Sequence, residues 1–386
     1  MPYNFDIVPS RRNSVFRNKW TWYPKDVLPM WVADMDLLTP PQILNALHKQ
    51  VEHGVLGYEL PSKASYEVVA ARMKKLYGWD VDAESIVYIP GVNHGYNIAA
   101  RILCSSRKGY LIQSPVFNEF YDTAHKTGFT HRVARLDEKI EGNRISYELD
   151  IEAIKKELQK VSMFLLCHPH NPIGKIYSPA ELKRMAKICI ENDVTIVSDE
   201  IHSELLLGGA KFTPLASLSS EIAQHTITLI SAAKAFNVPG LACAFAIIPD
   251  DKLRKRFSDA EHGMSIGIST PGLTAARIAF SGHADSWLKS LRRYLTANRD
   301  FIIEYIERNL PGVRMTKPDA TYLLWLDFSE LKLKPSSYEF FMKHAKVAFS
   351  DGGKFGEGCE QFVRLNFGTT RRVVKEGLER IRKALK

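Results

Sequence analysis

Three short apolar runs set the pattern of this chain, and each leads into a polar residue: 163–169 into Asn171, 194–199 into Asp199, and 226–233 into Lys234. Runs this short and apolar, the last of them rich in β-branched residues, predict buried strands. Residues 85–89 and 110–113 repeat the pattern, while helical periodicity occupies 65–77, the stretch after Gly95, and 151–160. Strands alternating with helices through residue 250 predict a mostly parallel sheet covered on both faces. In open sheets of this kind ligands bind at the carboxyl ends of the strands, which is where Asn171, Asp199 and Lys234 stand.

Proline and glycine punctuate the remainder. Pro40-Pro41 predicts a helix that runs to His53 and is ended by Gly54. A long helical stretch over 285–309 predicts a link between two domains. Beyond it, 321–328 alternates like a strand, 336–345 reads as a helix, 362–368 as another strand, and 372–385 as a closing helix. Residues 1–40 are rich in Arg, Trp and Pro without a long periodic segment, which predicts an extended surface arm.

The bulk numbers narrow the class. A chain of 386 residues with 45% hydrophobic content can bury a large core and suggests one large domain with a smaller one. The formal net charge of +9 is scattered over the sequence, with no aromatic-interleaved basic stripe, so it predicts a generally basic surface and no nucleic-acid partner. Cys104, Cys167, Cys189, Cys243 and Cys359 are an odd set without paired metal spacing; they read as core thiols, with no metal site. The opening Met-Pro-Tyr-Asn-Phe-Asp lacks a signal pattern, and no apolar run approaches the ~20 residues that span a bilayer. A cytoplasmic protein without membrane contact is expected.

Lys234 carries the candidate chemistry. Lysine is rarely buried without a role, and desolvation lowers an ammonium's pKa towards the free amine that forms a Schiff base with an aldehyde. By position alone, a lysine just after a strand is more often a solvated loop charge. The turn Pro90-Gly-Val-Asn-His-Gly95 offers helix N-terminal amides to a phosphate, or is an ordinary strand-to-helix turn. Arg364, within a strand, suits a carboxylate clamp or a sheet-edge salt bridge.

The order Asn-Pro-x-Gly at 171–174, Ser-Asp-Glu-Ile-His at 198–202, and Ser-x-x-Lys at 231–234 followed by Phe-Asn and Gly-Leu resembles the fold type I pyridoxal-phosphate enzymes of the aminotransferase class I/II group. Within that group the chain is similar to the MalY/PatB-type cystathionine β-lyases, also called cysteine-S-conjugate β-lyases. The Trp-Val-Ala-Asp-Met-Asp string at 31–36, the Gly57-Tyr58 turn, the Thr321–Phe328 string, Phe355-Gly356 and the Phe-x-Arg-Leu-Asn string at 362–366 extend the likeness over nearly the whole chain.

The resemblance implies an α/β fold: a large domain with a mostly parallel seven-stranded sheet, plus a smaller α+β domain. It divides the chain into an arm and part of the small domain at 1–45, a large cofactor domain at 46–284, and the small domain at 285–386. It implies pyridoxal 5'-phosphate bound through Lys234, with Asp199 on the pyridine nitrogen, Asn171 on the phenolic oxygen, and His202 and Phe117 beside the ring. The phosphate would be held by Ser231 and the Val92 and Asn93 amides. Arg364 would clamp the substrate's α-carboxylate. Tyr58 would reach the partner's active site in a homodimer, contributing to catalysis and substrate binding. The implied reaction is β-elimination from S-substituted L-cysteines such as cystathionine, giving a thiol, pyruvate and ammonia. The same residues could serve an aminotransferase of an apolar or aromatic amino acid, and relatives of this type can also bind a regulatory protein. Phe117 replaces the tyrosine usual after Pro-Val, and Ala233, Ala235 and Gly368-Thr-Thr-Arg371 also depart from the group's pattern.

Overall fold

In this computed structural model, residues 3–57, 59–106, 108–264 and 267–386 are described. The apolar runs form a seven-stranded sheet in the order Ile86–Ile89, Ala244–Ile247, Thr226–Ile230, Thr195–Asp199, Val161–Cys167, Gly109–Ser114, His131–Arg135. Only Ala244–Ile247 runs antiparallel to its neighbours. The runs are continuous because both faces are covered. Met163, Leu165 and Cys167 pack with the helices Val92–Leu103 and Glu119–Thr127, whereas Phe164 and Leu166 pack with Ile151–Leu158 and Pro179–Ile190 on the other face. Each fully buried aliphatic side chain in these layers contributes about 1.5–3 kcal/mol.

Register makes this sheet a platform. Cys167 pairs with Asp199 and Asp199 with Leu229, so three adjacent parallel strands end level with one another. The strand at 226 stops at Ile230, and Lys234 lies four residues further on, in the turn that follows. The apolar pattern alone predicts a strand that continues to the lysine itself. Ser231 leaves the ladder to bond with the Cys243 carbonyl instead, and the chain turns there.

A second, six-stranded sheet has the order Ser350–Asp351, Phe362–Asn366, Leu323–Asp327, Arg314–Met315, Arg144–Glu148, Asp137–Glu141. Its last two strands form a hairpin that leaves the middle of the chain to join C-terminal strands, with Met315 opposite Arg144. The helix Asp285–Asn309, 25 residues and about 37 Å long, packs against the closing helix Arg371–Ala384. The helix Pro41–His53 ends at Gly54, whose φ of 78° supplies the left-handed cap.

The arm is not a surface strap throughout. Leu28–Pro29 pairs in parallel with Val347–Ala348, and Ala33, Met35, Asp36 and Leu37 are buried. Lys19 is buried too, with its ammonium 3.1 Å from Asp34 and 3.0 Å from Asp36; Arg11 engages the same two acids. The five cysteines are free, and Cys167, Cys189 and Cys359 are buried. Among the described residues no helix is long and apolar enough to cross a membrane, and no group of three or more His, Cys, Asp or Glu is arranged to hold a metal ion.

Candidate active site

The level strand ends place Asp199 at the end of its strand and Asn171 in the loop of the strand beside it. That loop is shaped by Cys167, whose sulfur accepts from the Asn171 amide at 3.3 Å and donates to the Pro169 carbonyl at 3.6 Å. From the second sheet, Arg364 reaches across and donates through Nη1 to Asn171 Oδ1 at 3.0 Å. Its Nη2 donates to Ser350 Oγ at 2.9 Å and to the Trp31 carbonyl at 3.1 Å. The guanidinium thus joins both sheets and the arm, and its buried Nε has no partner among the described residues.

Residues 31–37 cross over Lys234 as a strap. Lys234 Nζ donates to the Ala33 carbonyl at 2.7 Å, and the Tyr322 hydroxyl donates to the same oxygen at 2.9 Å. Asn237, three residues after the lysine, receives the Met35 amide on its Oδ1 and donates to the Met35 and Leu37 carbonyls. Asn366 donates to the Val32 and Asp34 carbonyls. Phe-Asn and Arg-Leu-Asn, two strings of the sequence pattern, therefore grip one stretch of backbone.

His202 is buried with Nδ1 unpartnered among the described residues, and its ring stands edge-on to Tyr322 at 6.2 Å. Phe117 is partly buried on the apolar layer that contains Val92 and Cys167, with its ring 6.2 Å from Phe120. The helix Val92–Leu103 begins at Gly91 with no side chain capping it, which leaves its first-turn amides for a ligand. Gly95 lets that helix lie close on the sheet, since a Cβ there would come within 2.7 Å of Ile89 and 2.8 Å of Leu229. Ser231 Oγ donates to the Cys243 carbonyl at 2.7 Å and accepts from the Ala233 amide at 3.1 Å. Tyr58 lies outside the described residues.

The electrostatics follow from enclosure. Burial pushes the Asp199 carboxyl up to about 7, against the opposing pull of the Ile201 amide and Lys234. Lys234 keeps part of its side chain open to the cleft, yet its ammonium is surrounded by protein; burial, and then Arg364, bring it down to about 8, while Asp34 and Asp199 pull the other way. Burial brings Arg364 down to about 10. His202 is pushed well below its ordinary range, first by burial and then by Lys234 and Arg364, so its ring is neutral.

These groups fit pyridoxal phosphate. Asp199 is a buried acid without a cation bonded to it, which a protonated ring nitrogen would supply. Lys234 is a depressed amine suited to a carbonyl partner. With its oxygen taken by Arg364, Asn171 can turn its amide nitrogen to an acceptor. The uncapped helix suits the phosphate.

Sequence reasoning did not single out the Ala33 carbonyl, Tyr322, Asn237, Asn366 or Ser350. Ala33 acts through its backbone, which carries no sequence signal; Tyr322, Asn237 and Asn366 lie within motif strings whose roles depend on what folds over them, and Ser350 lies in none.

Comparison with known proteins agrees with this fold. Residues 25–381 match the family aminotransferase class I and II. Cystathionine beta-lyase PatB of Bacillus subtilis is 38% identical over 93% of each chain. A PLP-bound putative aminotransferase from Clostridium difficile superposes with a TM-score of 0.94 at 34% identity, over all of both chains. The PLP-bound C–S lyase of Staphylococcus hominis superposes with a TM-score of 0.91 at 30% identity, over 99% of this chain and 98% of that one. With that family's model matching residues 25–381 and with relatives alike in sequence and fold over nearly the full length, the chain belongs to the aminotransferase class I and II family.

Proposed function

We propose that the protein is a pyridoxal-phosphate-dependent carbon–sulfur β-lyase acting on S-substituted L-cysteines such as L-cystathionine. The observation that carries the reading is the enclosed Lys234 amine, set between Asp199 and Arg364, in a chain whose similar relatives are named cystathionine beta-lyases.

Asp199 would pair with the ring nitrogen and keep it protonated, Asn171 would bond the phenolic oxygen, and His202 and Phe117 would line the ring. The Val92 and Asn93 amides and Ser231 would hold the phosphate; Ser231 must then turn its hydroxyl from the Cys243 carbonyl. Bound there, pyridoxal phosphate supplies an electron sink for the charge left at the substrate's Cα.

Arg364 would exchange its contact with the Trp31 carbonyl for the substrate's α-carboxylate, which it can take bidentately. That fixes the Cα–H bond towards Lys234, whose depressed proton affinity suits a general base near neutral pH. Lys234 takes the Cα proton, and the sulfur leaves Cβ with the bonding pair and is protonated to the thiol. One water is consumed as the three-carbon remainder becomes pyruvate and ammonia. Arg364 and the strap shield this site from bulk water.

We further propose a cytoplasmic homodimer with sites shared across the interface, Tyr58 reaching the partner's site. Val51, Val55, Leu56 and Leu60, near it in sequence, are exposed, and a cavity of about 860 Å³ lies between Leu60, Pro61 and the edge strand at Ile86, an apolar surface that a second copy would cover. The two-domain division at residue 285 is supported by the long helix that starts there. Five free cysteines suit a reducing compartment.

The test is to incubate cofactor-loaded protein with L-cystathionine and with an S-alkyl-L-cysteine, following thiol, pyruvate and amino transfer to an added keto acid. Thiol and pyruvate should rise together. Conversion of the cofactor to its amine form without thiol release would make the protein an aminotransferase instead.

A further inference from the structure

Thr321 has a φ of 76°, a left-handed backbone that a β-branched residue adopts only when its surroundings impose it. It is fully buried. Its amide donates to the Leu205 carbonyl at 2.8 Å, its hydroxyl accepts from the Leu323 amide at 3.1 Å, and the preceding Ala320 bridges to Leu206. The loop carrying His202 therefore enforces the bend. What the bend presents is Tyr322, whose hydroxyl meets the Ala33 carbonyl at 2.9 Å, where the Lys234 ammonium also arrives at 2.7 Å.

We propose that Tyr322 is a positioning residue for Lys234: by donating to the Ala33 carbonyl it fixes the oxygen on which the lysine rests when free of cofactor and substrate, and by sharing that oxygen it eases the amine's departure. The inference rests on the reading of Lys234 as the residue that forms the imine. An ammonium donates more strongly than a neutral amine, so a carbonyl offered to the lysine alone favours the protonated form. A hydroxyl already bonded to that carbonyl weakens the preference. The charged and titratable groups facing Lys234 are Arg364 from the second sheet, Asp34 from the strap, Asp199 at its strand end, and neutral His202. Asp34 and Arg364 face Tyr322 as well. Replacing the tyrosine by phenylalanine leaves these groups in place and removes only the shared donor.

The experiment takes the full chain stripped of cofactor and follows Schiff-base formation with pyridoxal 5'-phosphate by absorbance, from neutral to alkaline pH. Tyr322→Phe should move the midpoint of the pH profile upward by about 0.5–1 unit; an unmoved or lowered midpoint overturns the proposal. Thr321→Gly, which keeps the hydroxyl but relaxes the bend that aims it, should shift the midpoint the same way by less. If circular dichroism shows that Tyr322→Phe does not fold, Thr321→Gly decides the matter, and an unmoved midpoint overturns the proposal. Lys234→Ala must abolish the uptake. Retained uptake would overturn the underlying reading of Lys234, whereas lost uptake with unmoved profiles in the other variants defeats this inference alone.

Discussion

Arg364 Nη1 and Asn171 Oδ1 lie 3.0 Å apart, and this hydrogen bond ties a strand of the second sheet to a loop above the central one. The arginine that would receive the substrate is thereby held by a residue that would receive the cofactor. Because the same guanidinium holds the strap through the Trp31 carbonyl, loss of its planar fork should disturb binding more than loss of charge. Arg364→Lys keeps the charge and is expected to raise KM for the amino-acid substrate by about 10- to 100-fold, the worth of one or two charged hydrogen bonds. Steady-state kinetics with an S-alkyl-L-cysteine tests this, and an unchanged KM would remove Arg364 from the carboxylate site.

Lys234 is assigned both the cofactor bond and the base. Lys234→Ala should therefore lower thiol release by about 10³-fold or more, since general-base catalysis alone contributes 10²–10⁴. The assay reads thiol and pyruvate together, and a variant that retains a tenth of the parent rate would rule the assignment out.

Asp199 makes the cofactor-free chain sensitive to pH. Its folded pKa of about 7 lies above the ordinary carboxyl value, so between about pH 4 and 7 the folded chain holds a proton that the unfolded chain has released. The folded state binds more protons there, and stability from this group falls as pH rises. Glu200, pushed up to about 8 by burial, acts in the same direction. Asp199→Asn should leave the stability of the cofactor-free chain unchanged near pH 4 and increase it at about pH 8 by an amount on the order of a few kcal/mol, read as a higher melting temperature. With cofactor bound the effect should reverse, because the carboxylate then has a cation to pair with. Melting curves at both pH values, with and without pyridoxal phosphate, provide the check.

Lys19 anchors the strap from the far side, between Asp34 and Asp36, while the Trp20 indole donates to Asp36 at 2.7 Å. Lys19→Met would leave the two acids paired with one cation, Arg11, in place of two. A broken buried pair costs about 3–5 kcal/mol, and the remaining arginine places this one near the lower end. A fall in melting temperature of several degrees is expected, together with weaker cofactor retention, since the strap also holds Lys234. Calorimetry and cofactor release by gel filtration measure the two effects separately.

Much of the architecture was legible in the residues. Continuous apolar runs such as 161–167 and the β-branched 195–197 can satisfy both of their faces only inside a covered sheet, so their burial and mostly parallel pairing follow from composition and length. Level strand ends then bring Asn171, Asp199 and Lys234 to one edge, because each run stops at the same point of its pattern.

The hairpin at 137–148 shows what was not legible. Its strand Asp137–Glu141 is exposed along its length, with no apolar face to announce a partner, and its membership of the second sheet depends on where Met315 comes to lie. The arm is a similar case, for Lys19 looks like any basic surface residue until two acids close around it.

By itself, then, the sequence determined the sheet, the polar residues at its edge and the family to which they belong, because local pattern, turn residues and motif order are written in consecutive positions. Tertiary structure alone decided that Arg364 meets Asn171, that the Ala33 carbonyl receives both Lys234 and Tyr322, and that burial shifts Asp199 and Lys234 towards neutral pH. Those properties belong to pairs distant in the chain and to the water excluded between them, and no single stretch of residues encodes either.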